Sequence, residues 1–276
     1  MDATIHSNSK ARFILKAFLF CVAFTGLFFL LSSTINFALR GFERLVQGTI
    51  GTVAALLTTF LFLKIDKKRF SDIGLTFEGK TVVKFFVGVF IGILIMGLLA
   101  MSVVYISDVR IDVNPGSNVL NFLLVTASLI PLALMEELGF RAYPLEILKD
   151  KIGIRLAIIV TSILFALYHV ASGWTVASSF YGPAVWGLVF GLAAIYSNGI
   201  ALPTGIHYAA NLTTSAFGEA TGSESIWTVK PSVATVTKEV DWATLFPVFA
   251  LLAFAIICIE LYMRQKTNAR NSFAKG

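Results

Sequence analysis

The sequence predicts an all-α, polytopic membrane helix bundle of about eight transmembrane helices, and three features make that prediction. The composition is apolar: 57% of the 276 residues are hydrophobic and 14% are charged, where a soluble globular chain carries about 25% charged residues. Apolar runs of about 20 residues, the length that crosses a bilayer core, recur along the chain with short polar connections between them. Lys and Arg are shared unevenly between alternate connections. Five of the 22, Arg40, Arg44, Arg110, Lys230 and Lys238, fall on one side, and the rest fall on the other. That bias places the richer side, with both termini, in the cytoplasm. It also accounts for the net charge of +6 with no nucleic-acid partner. No shift in composition marks a second domain, so residues 1–276 read as a single integral-membrane domain.

The first run covers residues 13–31 and is interrupted only by Lys16. It is long for the apolar region of a cleaved leader and no Ala-x-Ala site follows, so it reads as an anchor and first span. Residues 45–63 form the second. Residues 64–84 are a hydrophilic connection with Lys67, Lys68 and Arg69, and 85–106 form the third span. A polar loop follows, with Asp108, Arg110, Asp112 and the turn Asn114-Pro115-Gly116. The fourth run starts near Val119. It is expected to kink at Pro131, which lacks an N–H and crowds the preceding turn, and to continue as helix to about Lys149, with Pro144 a second kink. Gly153 opens the fifth span, which ends near Gly173. The sixth covers 181–196, with Gly187 and Gly191 spaced for close helix contact. The seventh covers 200–217. Residues 218–241 are a polar loop, and 242–263 form the eighth span. Cys21 and Cys258 sit in apolar runs and make neither a metal spacing nor a disulfide framework.

Polar groups occur in this bundle where lipid would reject them: Glu136 and Glu137 in the fourth run, His169 in the fifth, His207 and Asn211 in the seventh. Residues 121–135 carry no charge at all. Ionisable groups within a span generally face a protein interior and mark function; the plainer reading is a helix that ends there, in water. Glu137 and Arg141 are four apart and share a helix face, where they can pair. Glu136 then points about 100° away. Phe165 and His169 share a face in the same way, as do His207 and Asn211. A tight turn at Lys151 to Gly153 joins the fourth and fifth helices. Glu136 and His169 are each about 16 residues from it, roughly 24 Å of helix, so they are expected level with one another on neighbouring helices.

Taken singly, a His or an Asn in a span also serves as a packing group or as interhelical glue. Asn211-Leu212-Thr213 fits a glycosylation sequon, but inside an apolar run. Taken together, a Glu, two His and an Asn on three helices suit either water activation or a metal.

Glu136-Glu137-x-x-x-Arg141, Phe165-x-x-x-His169 and His207-x-x-x-Asn211, in this order and each in an apolar run, resemble the three motifs of the CAAX protease and bacteriocin-processing family of intramembrane endopeptidases. The motifs lie within a core of about 119–217, and Ser71-Asp72-Ile73-Gly74-Leu75 resembles a stretch common upstream of it. The resemblance implies an eight-helix bundle with a polar cavity. It implies Glu136 as the base that takes a proton from water and His169 as its partner. His207 and Asn211 would stabilise the oxyanion, with Glu137, Arg141 and Phe165 supporting the site. The family is also described as metal-dependent, and Glu136, His169 and His207 would then hold a zinc with an open water position. The chain has no His-Glu-x-x-His helix, so zinc rests on the resemblance, and a metal-free glutamate mechanism stands beside it.

The expected protein is therefore an integral protein of a bacterial plasma membrane that cleaves a peptide or membrane-protein substrate, CAAX-type prenyl proteins among the candidates. The alternative is a non-enzymatic member of the same family, acting in bacteriocin self-immunity or as a membrane scaffold. The full set of polar motif residues favours the enzyme. A small-solute transporter is disfavoured because the chain shows no inverted repeat.

Overall fold

The computed structural model describes residues 2–34, 43–106, 109–218, 225–231 and 242–273. Asp108, Arg40, Lys238 and most of the connection expected at 218–241 lie outside them.

Among the described residues, seven stretches of helix are long and apolar enough to cross a membrane. Three come first: α1 (Asp2–Ser33), α2 (Glu43–Asp66) and α3 (Thr81–Ile106). A 3-10 turn, Phe70–Ile73, folds the connection between α2 and α3. The fourth stretch is composite, made of α4 (Val119–Thr126), α5 (Leu129–Glu137), a π turn (Leu138–Ala142) and α6 (Tyr143–Ile152). Then come α7 (Ile154–Ala171), the short α8 (Val176–Tyr181) leading into α9 (Pro183–Ser197), and, last in the chain, α11 (Trp242–Phe273). The expected seventh span is α10 (Ala201–Ala216). At 16 residues it reaches only about 24 Å, short of a hydrocarbon core of about 30 Å. It is largely buried among the other helices.

The prolines act as helix starts rather than as kinks within one continuous helix. Pro131 removes the hydrogen bond that would reach back to Ala127 and its ring crowds that carbonyl. The chain accordingly breaks at Ala127-Ser128, and Pro131 falls in the first turn of α5, where an N–H would have no partner anyway. Pro144 opens α6 in the same way. Between them the π turn adds a residue to the helical repeat, a feature frequent at functional sites. All five of its residues are buried. Gly153, with φ +86°, makes the tight turn from α6 into α7.

Close packing holds the helices that carry the motifs. α10 lies on α3, and a Cβ added at Gly205 would run into the Phe85 carbonyl oxygen, so only glycine lets the two backbones approach this far. α9 lies on α7 through Gly187 and Gly191, against Ser162 and Ile158, the contact face expected from their spacing. On the other flank, α1 packs against α6 and α2. Phe20 stacks on Tyr143, and Phe24 lies against Phe140 and Tyr168. Lys16, the one charge inside the first apolar run, pairs with Asp66, which also accepts a 2.7 Å hydrogen bond from the Tyr143 hydroxyl.

Two connections expected as polar loops contain a β-ribbon. β1 (Val109–Val113) pairs antiparallel with β2 (Trp227–Pro231), with Ile111 opposite Val229. Val109-Arg110-Ile111-Asp112-Val113 alternates apolar and polar residues, the period of a strand.

Candidate active site

The motif residues come from four elements, α5, the π turn, α7 and α10. α5 ends in Glu136 and Glu137, the π turn supplies Arg141, α7 supplies Phe165 and His169 near its C-terminal end, and α10 supplies His207 and Asn211. Glu136, Glu137, Arg141, His169 and His207 are all buried, and Asn211 is half-buried one turn beyond His207 on the same face of α10.

Glu136 faces both imidazoles. Its Oε2 is 3.4 Å from His207 Nε2 and its Oε1 is 4.0 Å from His169 Nε2. The expected level placement of Glu136 and His169 is met, and α10 brings a third group to the same point. Glu137 turns the other way. Its Oε1 accepts from Arg141 Nη1 at 3.3 Å and from His207 Nδ1 at 2.8 Å. The expected Glu137–Arg141 pair is present with both side chains fully buried; its link to His207 was not foreseen, because it depends on where α10 packs.

These bonds fix the protons on the rings. His169 Nδ1 lies 2.9 Å from the Phe165 carbonyl oxygen, which only accepts, so Nδ1 carries the hydrogen. His169 Nε2 is left to face Glu136. His207 Nδ1 faces an ionised carboxylate, which also only accepts, so it too is a donor. Any second proton on His207 sits on Nε2, toward Glu136.

Aromatic rings line the site. Phe165 meets His169 edge to face, with centroids 4.6 Å apart. Phe190 of α9 stacks on His207 at 4.5 Å and 16°. The Arg141 guanidinium carbon lies 4.3 Å from the Phe165 centroid and 5.3 Å from that of Phe190. Among the described residues Arg141 Nε and Nη2 have no hydrogen-bond partner. The ring faces take their place by cation–π attraction, which strengthens away from water. Phe190 carries no motif signal in the sequence.

The donor types are those zinc accepts, two imidazole nitrogens and a carboxylate. Their spacing as it stands does not close on one ion: among the described residues no three His, Cys, Asp or Glu side chains are grouped to hold a metal. The 4.0 Å between Glu136 and His169 instead suits two groups that share one water between them. The arrangement can take a proton from water and hold the resulting hydroxide in a space with little access to bulk solvent.

Residues 117–213 match the family model described as type II CAAX prenyl endopeptidase Rce1-like. The match opens just before α4 and closes two residues after Asn211, so it spans every motif residue. It agrees with the resemblance carried by the three motifs. No curated protein matches the chain.

Proposed function

We propose that this chain, whose residues 117–213 match the Rce1-like family model, is an intramembrane endopeptidase that hydrolyses a peptide bond with water activated by Glu136. The observation that supports it most is Glu136 held between two imidazoles whose other nitrogens are already engaged, His169 by a carbonyl and His207 by a carboxylate.

In this mechanism a water lies between Glu136 and His169. Glu136 accepts one of its protons while the other is donated to the His169 Nε2 lone pair, which orients the oxygen. The oxygen attacks the scissile carbonyl carbon, and the carbonyl oxygen becomes an oxyanion. His207, protonated on both nitrogens, donates Nε2–H to that oxyanion, and the Asn211 amide donates beside it. Collapse of the tetrahedral intermediate breaks the C–N bond. The proton held by Glu136 passes to the leaving amine, which restores the carboxylate.

The family description supports a CAAX-type substrate, with a lipid near the cleaved bond. Such a substrate is also supported by a largely apolar cavity of about 770 Å³ lined by α2, α3, the connection between them and the start of α10, with Leu134 of α5 and Leu138 of the π turn in its wall. Incubation of the purified protein with prenylated and unprenylated versions of one CAAX reporter peptide tests this. Faster cleavage of the prenylated peptide is expected, and equal rates would remove the lipid from substrate recognition.

A further inference from the structure

Among the described residues three aromatic rings pack on His169, and one of them, Trp174, is open to its surroundings. Phe165 and Tyr168 are buried at centroid distances of 4.6 and 5.2 Å, whereas Trp174 is 53% exposed and lies 5.1 Å away at 79°. Trp174 reaches that place through the way α7 ends. Gly173 takes φ +97°. The Trp174 N–H donates to the His169 carbonyl, and the Gly173 N–H to that of Val170, both at 3.0 Å. These two bonds make a Schellman turn. In such a turn the residue after the left-handed glycine folds back onto the residue three positions before the helix cap and packs against it. Here the residue beneath is His169.

We propose that Trp174 is a positioning residue for His169, an inference that rests on the endopeptidase reading of the site. The Phe165 carbonyl fixes which nitrogen of His169 carries the hydrogen. It does not by itself fix the plane of the ring, because a single bond from an edge nitrogen leaves the ring free to rock. The indole, packed nearly at right angles on the open side, limits that motion and keeps Nε2 directed at Glu136, 4.0 Å away. Gly173 is needed because the left-handed turn delivers the indole, and a Cβ there would meet no other atom within 4 Å. A Gly173 substitution therefore strains the turn without creating a clash.

The test uses the full chain in detergent micelles and a cleavable reporter peptide, with Glu136→Gln as the inactive control. Trp174→Ala is expected to lower kcat roughly 2- to 10-fold, the rate equivalent of one aromatic pair, with KM and melting temperature unchanged. Trp174→Phe should recover most of the loss. Gly173→Ala, which keeps the indole but strains its turn, should lower kcat in the same sense. Full kcat in Trp174→Ala overturns the proposal, as does a raised KM with kcat intact, which would make Trp174 a substrate contact. A loss in Trp174→Ala that Phe does not relieve, accompanied by a fall in melting temperature, also overturns it in favour of a purely structural role. An inactive wild type, or an active Glu136→Gln, would instead bring down the endopeptidase reading and this proposal with it; an active wild type with Trp174→Ala at full kcat brings down the proposal alone.

Discussion

His207 donates a 2.8 Å hydrogen bond from Nδ1 to Glu137 Oε1, the same oxygen that receives Arg141. The bond decides what His207 can do. With Nδ1 committed to a carboxylate, only Nε2 is left to face the reacting atoms. Glu137→Ala is therefore expected to lower kcat roughly 10–100-fold, the usual cost of losing the group that orients a functional histidine. The double variant Glu137→Ala/His207→Ala should be no slower than His207→Ala alone, because the two residues act as a unit. Rates for the four proteins of this double-mutant cycle, measured on one reporter peptide, check it. Additive losses would separate Glu137 from His207.

Arg141 is fully buried between Glu137 and the faces of Phe165 and Phe190. Its removal strands a buried carboxylate, and breaking such a pair from one side typically costs about 3–5 kcal/mol. Arg141→Ala is expected to lower the melting temperature in detergent as well as the activity. Arg141→Lys should restore little, because an ammonium cannot lie flat on the two rings. An unchanged melting temperature with lost activity would move Arg141 from support to substrate binding or catalysis.

α10 carries His207 and is seated on α3 by Gly205. A methyl group at Gly205 would meet the Phe85 carbonyl oxygen, so the helices must part. Overpacking of this kind costs about 1–3 kcal/mol. Gly205→Ala is expected to lower both thermal stability and kcat, because His207 moves with its helix. A stable variant with wild-type kcat would show that α10 can shift without disturbing the site.

The proposed reaction needs no metal, since Glu136 activates the water and two donors carry the oxyanion. Zinc in the purified protein is expected to be well below one equivalent, and 1,10-phenanthroline should leave cleavage intact. Without a Lewis acid on the carbonyl, Asn211→Ala should lose roughly 10²–10³ in kcat, the cost of one oxyanion donor. Stoichiometric zinc, lost in His169→Ala and His207→Ala together with activity, would make Glu136, His169 and His207 metal ligands and would require their spacing to close.

Parts of this site are legible in the sequence for simple geometric reasons. Glu136 and His169 flank one tight turn at equal distance, so antiparallel helices bring them level. Glu137 and Arg141 are four apart in the chain and meet even across the π turn. The Glu137–His207 bond is not legible, because 70 residues separate the partners and only the seating of α10 on α3 and α5 joins them. The expected seventh span, 200–217, exceeds α10 by only two residues; its apolar composition reads as a span, although 16 residues fall short of a bilayer core. The break at Ala127-Ser128 is Pro131 acting one turn upstream of its own position. The turn that sets Trp174 on His169 does have a signal, a glycine directly after the last helical turn, though not one that any motif singles out. The β-ribbon also had one, the alternation from Val109 to Val113, but five residues between spans read more readily as loop.

The proposed hydrolysis depends on Glu136 as the base that activates water. Its most direct test is a comparison of wild type with Glu136→Gln, an isosteric change that keeps the shape of the site and removes the base. Both are purified, matched for melting temperature and monodispersity, and incubated with a prenylated CAAX reporter peptide, with products identified by mass spectrometry. Cleavage at one internal peptide bond is expected of the wild type, and none above background of Glu136→Gln. A folded wild type that leaves the peptide intact, or a Glu136→Gln protein that cleaves it at the wild-type rate, would rule out Glu136 as the base of a peptide hydrolysis.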